Sequence, residues 1–138
     1  MISFSQQVGK WAQQSQARTT AVFRDSAQEM VRRMQRTVAR GGNMPVDTGY
    51  LRNSLLGSTS SVPTMRENAT GEADQVVLTI ARLQLGQTFY AGWTANYARH
   101  VHYGTNGRPG RLWRDLAAQQ WHSIVQQSAR DIERRVTG

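Results

Sequence analysis

The chain has 138 residues, no cysteine and a formal net charge of +8 at pH 7. That length suits one domain with a modest core. The missing cysteine excludes disulfides, thiol nucleophiles and cysteine metal sites, and no apolar run approaches the roughly 18 residues a membrane span needs. The polar stretch from Met1 to Lys10 lacks the apolar centre of a signal peptide, so no cleaved leader is expected. Hydrophobic residues make up only 38%. A core that thin predicts stability borrowed from neighbouring copies. Basic charge is concentrated early: residues 1–40 carry seven basic and two acidic side chains. Lys10 is the one lysine; every other basic residue is arginine, whose planar fork suits phosphate and carboxylate. The excess fits a polyanionic partner, and it equally fits ordinary solvated helix faces.

Residues 4–39 read as one long helix, the 1–40 segment of a single 1–138 domain. Phe4, Val8, Trp11, Val22, Met30, Met34 and Val38 recur mostly at spacings of three or four, with Ser15, Thr19, Ser26 and Ala27 between them. Ser3 is the expected N-cap, with Gln6 as its capping-box partner. Gly41-Gly42 is the expected stop. So long a helix either bends near Ser15–Thr20 or projects onto a neighbour.

Residues 44–94 read as the sheet. In Met44-Pro45-Val46-Asp47-Thr48-Gly49-Tyr50-Leu51-Arg52-Asn53-Ser54-Leu55, Pro45 pushes Met44 towards extended backbone. Asp47, Thr48 and Gly49 form a turn. The alternation of Leu51, Asn53 and Leu55 with Arg52 and Ser54 then predicts a strand over 51–62. Residues 63–74 are a polar loop. Gln75 to Leu83, with Val76, Val77, Leu78 and Ile80, predicts a second strand. Leu85-Gly86-Gln87 predicts a turn, and Thr88 to Thr94 a third strand hairpinned to the second. A short helix is expected over 96–103, with Tyr97, Val101 and His100 on one side. A loop follows from Gly104 to Gly110. The last helix is expected over 111–136, through Leu112, Leu116, Trp121, Ile124, Val125, Ile132 and Val136. Phe89, Tyr90, Trp93, Trp113 and Trp121 are expected to fill the space between sheet and last helix. The class is therefore α+β: a long N-terminal helix, a small antiparallel sheet, a short helix and a C-terminal helix.

The residues argue against chemistry. His100 and His102 have no nearby acidic third ligand and His122 is remote, so no metal or other cofactor is expected. There is no nucleophile elbow. Asp47, Glu67, Glu72 and Asp74 lie mostly in the polar loop, where paired carboxylates lack rigid positioning. Gly104-Thr105-Asn106-Gly107 matches the short Gly-x-x-Gly loop of a KH domain and has Tyr97, Arg99, Tyr103, Arg108 and Arg111 around it. That makes a nucleic-acid-binding module an alternative, although a KH loop joins two helices. Arg32, Arg36 and Arg40 recur every four residues and predict one basic helical stripe.

Two phrases, Pro45-Val46-Asp47-Thr48-Gly49-Tyr50-Leu51-Arg52-Asn53-Ser54 and Tyr97-Ala98-Arg99-His100-Val101-His102-Tyr103-Gly104-Thr105, stand in order between the two long helices. Together they resemble the tail-completion, or head–tail joining, family of tailed bacteriophages. That family carries Pro-Val-Asp-Thr-Gly-x-Leu-Arg-x-Ser and then Tyr-Ala-x-x-Val-Glu-x-Gly-Thr. The resemblance spans roughly residues 20–120. It departs at His102, where the family has Glu, and in the shorter Arg108–Trp113 segment, where Trp113 is the expected aromatic anchor. It implies a structural virion protein with no enzymatic activity, found in the particle and, during assembly, in the host cytoplasm. Pro45, Asp47, Thr48, Gly49, Leu51, Arg52, Tyr97, Tyr103, Gly104 and Thr105 would be the motif residues that shape the subunit. The implied partners are other copies in a ring of six or twelve, neighbouring head-closure or portal-adaptor and tail-terminator or tail-tube proteins, and double-stranded DNA passing without specific contact. Arg32, Arg36 and Arg40 would line the channel or a ring interface. A tail-terminator or head-closure ring is the alternative within the same particle.

Overall fold

The computed structural model describes residues 3–46, 51–64, 73–95, 97–105 and 108–137. The first helix, α1 (Phe4–Met34), starts at the expected capping box. The Ser3 hydroxyl accepts from the Gln6 N–H, and the Gln6 amide accepts from the Ser3 N–H. The helix is uninterrupted through Ser15–Thr20, where Thr19 and Thr20 bond back to the carbonyls of Ser15 and Gln16. Its 31 residues span about 46 Å at 1.5 Å per residue.

The helix stops at Met34, earlier than the expected 39 or 40. Beyond it the chain folds into a tight loop. Met44 donates to the Arg36 carbonyl at 3.1 Å and accepts from the Val38 N–H at 3.1 Å. Residues Val38–Arg40 make a 3-10 turn that ends on Gly41 at φ 88°. A Cβ on Gly42 would fall 2.0 Å from the Arg36 oxygen, so only glycine fits this return. The two glycines therefore close a loop instead of ending a helix, and Met44 reaches full burial in extended backbone, as Pro45 favours.

Leu51 does not begin a strand. Residues Arg52–Ser54 form a 3-10 turn, and β1 (Leu55–Ser58) starts after it. The stretch expected as the second strand is a helix, α2 (Ala73–Ala81). Val76, Ile80 and Leu83 are buried at helical spacing, whereas Val77 and Leu78 are exposed. β-branched residues misled the reading here, because a short apolar run carries no decisive period. Accordingly β2 (Tyr90–Trp93) pairs antiparallel with β1, in the register Leu55↔Trp93 to Ser58↔Tyr90, and α2 is the connection between them. The Gln75 side chain completes β1. Its amide donates to the Gly57 carbonyl at 2.6 Å and accepts from the Gly57 N–H at 2.9 Å, as a neighbouring strand would.

The short helix α3 (Ala98–Tyr103) is followed by β3 (Gly104–Thr105) and β4 (Arg108–Pro109), a two-residue ladder where only a loop was expected. The final helix is broken into α4 (Trp113–Ala118) and α5 (Trp121–Thr137). Its inward stripe is Trp113, Ala117, Ile124, Ser128 and Ile132, while Leu112, Leu116 and Trp121 are partly exposed. The α+β class holds, with α1 as its spine. One side packs Ala27 against Leu55, Val76, Ile80 and Leu83. Another packs Met30 against Ala117 and Ile124. A third cluster joins Met44, Leu51, Ala95, Ala98 and Trp113. Met34 borders the last two clusters, and Trp93 links the first to the third. No described helix is long and apolar enough to cross a membrane.

Candidate functional site

The two sequence phrases meet in one place, at the C-terminal end of α1. From the first phrase, Leu51 is buried in the third cluster. Arg52 lies exposed beside the helix end, and its Nε donates to the Gln35 carbonyl at 3.0 Å, one of the carbonyls a helix terminus leaves unpaired. The Gln35 amide returns the contact, donating to the Arg52 carbonyl at 2.8 Å and accepting from the Trp93 indole N–H at 2.9 Å. Ser54 is buried and donates to the Leu51 carbonyl, while its own carbonyl takes both the N–H and the hydroxyl of the buried Thr94. Thus Leu51, Arg52 and Ser54 fix where the sheet sits on the helix. Pro45 is half-buried next to Met44. Asp47, Thr48 and Gly49, the turn expected to set this angle, lie outside the described residues. So do Glu67 and Glu72.

From the second phrase, Ala98 and His102 face inwards on α3, with Val101 half-buried beside them. Tyr97 and His100, expected on one side of the helix with Val101, are exposed. Gly104 takes φ 91°, open to glycine at little cost. After β4 the chain runs back along α3, where Arg111 and Leu112 donate to the carbonyls of Val101 and His102 at 3.0 Å each. A Cβ on Gly110 would sit 2.3 Å from the His102 oxygen, which explains glycine there. Leu112 is left at φ 49°, and Trp113 turns inwards. Thr105 pairs with Arg108 in the β3–β4 ladder, and Asn106 and Gly107 fall outside the described residues. The Gly-x-x-Gly stretch therefore leads from a helix into a strand pair and does not join two helices as a KH loop does.

Trp113 is the aromatic anchor. It meets Trp93 edge to face at 5.4 Å between centroids and His102 at 4.8 Å. His102 also stacks edge to face on Tyr103, whose hydroxyl takes a bond from Arg114. Both imidazole nitrogens and the Trp113 indole nitrogen are buried without a hydrogen-bond partner. The Asp115 carboxylate lies 3.8 Å from the imidazole Nε2. Burial pushes the His102 pKa below the usual histidine value, the Arg114 charge adds to this, and Asp115 partly opposes it.

A histidine that protonates less readily when folded makes acid destabilising. The unfolded chain takes up the proton first, so the contribution is complete above about pH 6.5 and shrinks as pH falls from there towards the lowered folded value. Urea unfolding at pH 7.5, 6 and 5 should show wild type losing up to about 1.4 kcal/mol per pH unit in that window. A His102→Phe variant should lose distinctly less over the same range. Parallel pH profiles would refute the assignment to His102, since His100 and His122 are common to both proteins.

The three arginines do not form a helical stripe. Arg32 stands on the last turn of α1 and pairs with Glu29, Arg36 lies past the helix end, and Arg40 is in the 3-10 turn. All three are exposed at one end of the molecule. A separate cleft of about 860 Å3 lies between Val62–Pro63, β2 and α3, with Arg99, His100, Tyr103 and Arg114 on its walls. His102 lines it too, and the basic and aromatic lining is suited to holding an anion. Among the described residues no three His, Asp or Glu side chains gather as metal ligands would. Sequence reasoning missed Gln35 and Gln75. Both act through side-chain amides on distant backbone, and no local pattern marks such a role. No protein-family profile, curated protein or solved structure matches this chain.

Proposed function

We propose that this chain is a structural subunit of a ring in the head–tail connector, or neck, of a long-tailed bacteriophage. The ring joins the capsid connector to the tail and lets DNA pass through its lumen. The observation that carries the reading is the meeting of the two phrases: Leu51 of the first and Ala98 of the second pack in one cluster with Met44 and Trp113. Motif residues spent on holding the end of a helix against a sheet suit a scaffold whose shape is its function. The subunit acts without cofactor or catalysis, beside head-closure or portal-adaptor and tail-terminator or tail-tube proteins. Six or twelve copies would match the symmetry of those neighbours. It resides in the virion, and in the host cytoplasm before assembly.

Arg32, Arg36 and Arg40 supply exposed positive charge at one end, facing the channel or the adjoining ring. A few dispersed arginines attract DNA weakly enough for it to pass, whereas many simultaneous phosphate contacts would hold it. The test is deletion of the gene from its phage, followed by electron microscopy of the lysate with a tagged copy restored. Filled heads and separate tails after deletion, with the tag located at the neck after restoration, are expected. Intact, infectious virions without the protein would sink the proposal.

A further inference from the structure

The first turns of α1 are bare. Phe4 is 79% exposed, Val8 47% and Trp11 68%, and the spacing of four and three puts them on one face. That face is covered further along the helix, where Ser128 of α5 donates to Asp25 at 2.7 Å and lies 3.4 Å from the Val22 carbonyl. The two helices run antiparallel, since Met30 meets Ala117 and Ile124. Ser128 sits opposite Val22 and Asp25, whereas the same face at Phe4, Val8 and Trp11 is exposed. From Ser3 to Ala17 the only charged side chain is Lys10, while the rest of α1 carries Arg18, Arg24, Asp25, Glu29, Arg32 and Arg33. The helix is nearly uncharged only where it is uncovered.

The same chain carries an apolar groove of about 420 Å3 between α1 and β2, walled by Phe23, Val31, Met34, Phe89, Trp93 and Trp121. Gln87 and Thr88 add uncharged polar groups to its lining, and Arg114 adds one charge. Stripe and groove are centred about 20 residues apart on one continuous helix, roughly 30 Å, and about a third of a turn apart in direction. The stripe therefore reaches a groove only on another molecule.

We propose that the start of α1 docks through Phe4, Val8 and Trp11 into this groove on a second copy of the chain. Each copy then serves as plug to one neighbour and socket to the other. This covers both bare surfaces with one repeated contact, whereas stripe-on-stripe pairing would leave the groove empty. The contact is heterologous, so it propagates and closes when the rotation permits. Closure into a neck ring rests on the function proposed above; the docking itself does not. One helix face buries less than the about 800 Å2 per partner of a standard interface, so a single link is weak and closure supplies avidity.

Sedimentation velocity up to millimolar concentration tests this with Trp11→Gln and Thr88→Arg, both at exposed positions, with circular dichroism confirming each fold. Wild type should self-associate. Each variant alone should be weakened at least about thirty-fold, as expected for loss of an aromatic anchor or its socket. Mixing the two variants should restore one intact plug–socket pair, giving a dimer and nothing larger. A wild type that stays monomeric, a Thr88→Arg variant that associates like wild type, or a mixture that fails to dimerise would each overturn the docking. Variants that still build normal rings in particles would remove the docking and leave the neck reading. A restored dimer from a protein that never enters a particle would do the reverse.

Discussion

Replacing Trp113 with alanine should lower the unfolding free energy by about 3–5 kcal/mol, the range for a fully buried large aromatic. That is a large share of the 5–15 kcal/mol typical of a whole domain, so the variant should keep a much reduced margin of stability. The indole is 2% exposed. It touches Trp93, through which the α1–α2–sheet cluster is linked, and His102, which holds the second phrase. Its neighbours Met44 and Leu51 are held by their own backbone bonds and cannot collapse into the space. Trp113→Phe separates packing from polarity. The indole N–H is buried without a partner, so phenylalanine removes an unpaired donor together with part of the ring. It should cost less than half as much as alanine. Urea titration of the three proteins at pH 7.5, above the window in which His102 matters, is the measurement. Equal losses for Phe and Ala would mean that the indole nitrogen has a bond partner or that the cavity collapses.

The fold was legible where a local signal has a single physical meaning. Ser3 with Gln6 specifies a helix start because the two side chains satisfy each other's backbone donors, and they do so. Gly41 and Gly42, expected as the helix stop, instead close a loop beyond the helix end at Met34. What glycine does not reveal is where the preceding helix ends. That point is set at Gln35 by contacts with Arg52 and Trp93, residues 17 and 58 positions away. Val76 to Ile80 has the composition of a strand and the burial of a helix, because the space between α1 and β1 accepts Val76, Ile80 and Leu83 along one face. The loss of that strand also moved β1, which the sequence reading had not paired with β2. In the site, the two phrases were visible as phrases, but their meeting was not. Nor was the inward turn of Trp113, which depends on Leu112 adopting positive φ after Gly110, a conformation nothing in Leu112 advertises.

Gln35→Ala should destabilise by about 2–3 kcal/mol, although the residue is polar and only half-buried. One amide joins three elements. It accepts from the Trp93 indole at 2.9 Å and donates to the Arg52 carbonyl at 2.8 Å, while the Gln35 carbonyl takes the Arg52 guanidinium at 3.0 Å. Alanine keeps the carbonyl but leaves the indole N–H and the Arg52 carbonyl unpaired. The part-buried indole N–H left without a partner costs more than the net worth of an ordinary hydrogen bond, whereas the exposed Arg52 carbonyl turns to water. Water reaches this half-exposed node in part, which holds the total below the value for a sealed core. A double-mutant cycle with Trp93→Phe isolates the amide–indole bond. Once the indole N–H is gone, removing the amide should cost about 1 kcal/mol less than in the wild type. Strict additivity would show that the two side chains act independently. The Gln35→Ala loss would then lie in the amide's bond to the Arg52 carbonyl, which Arg52→Ala leaves in place.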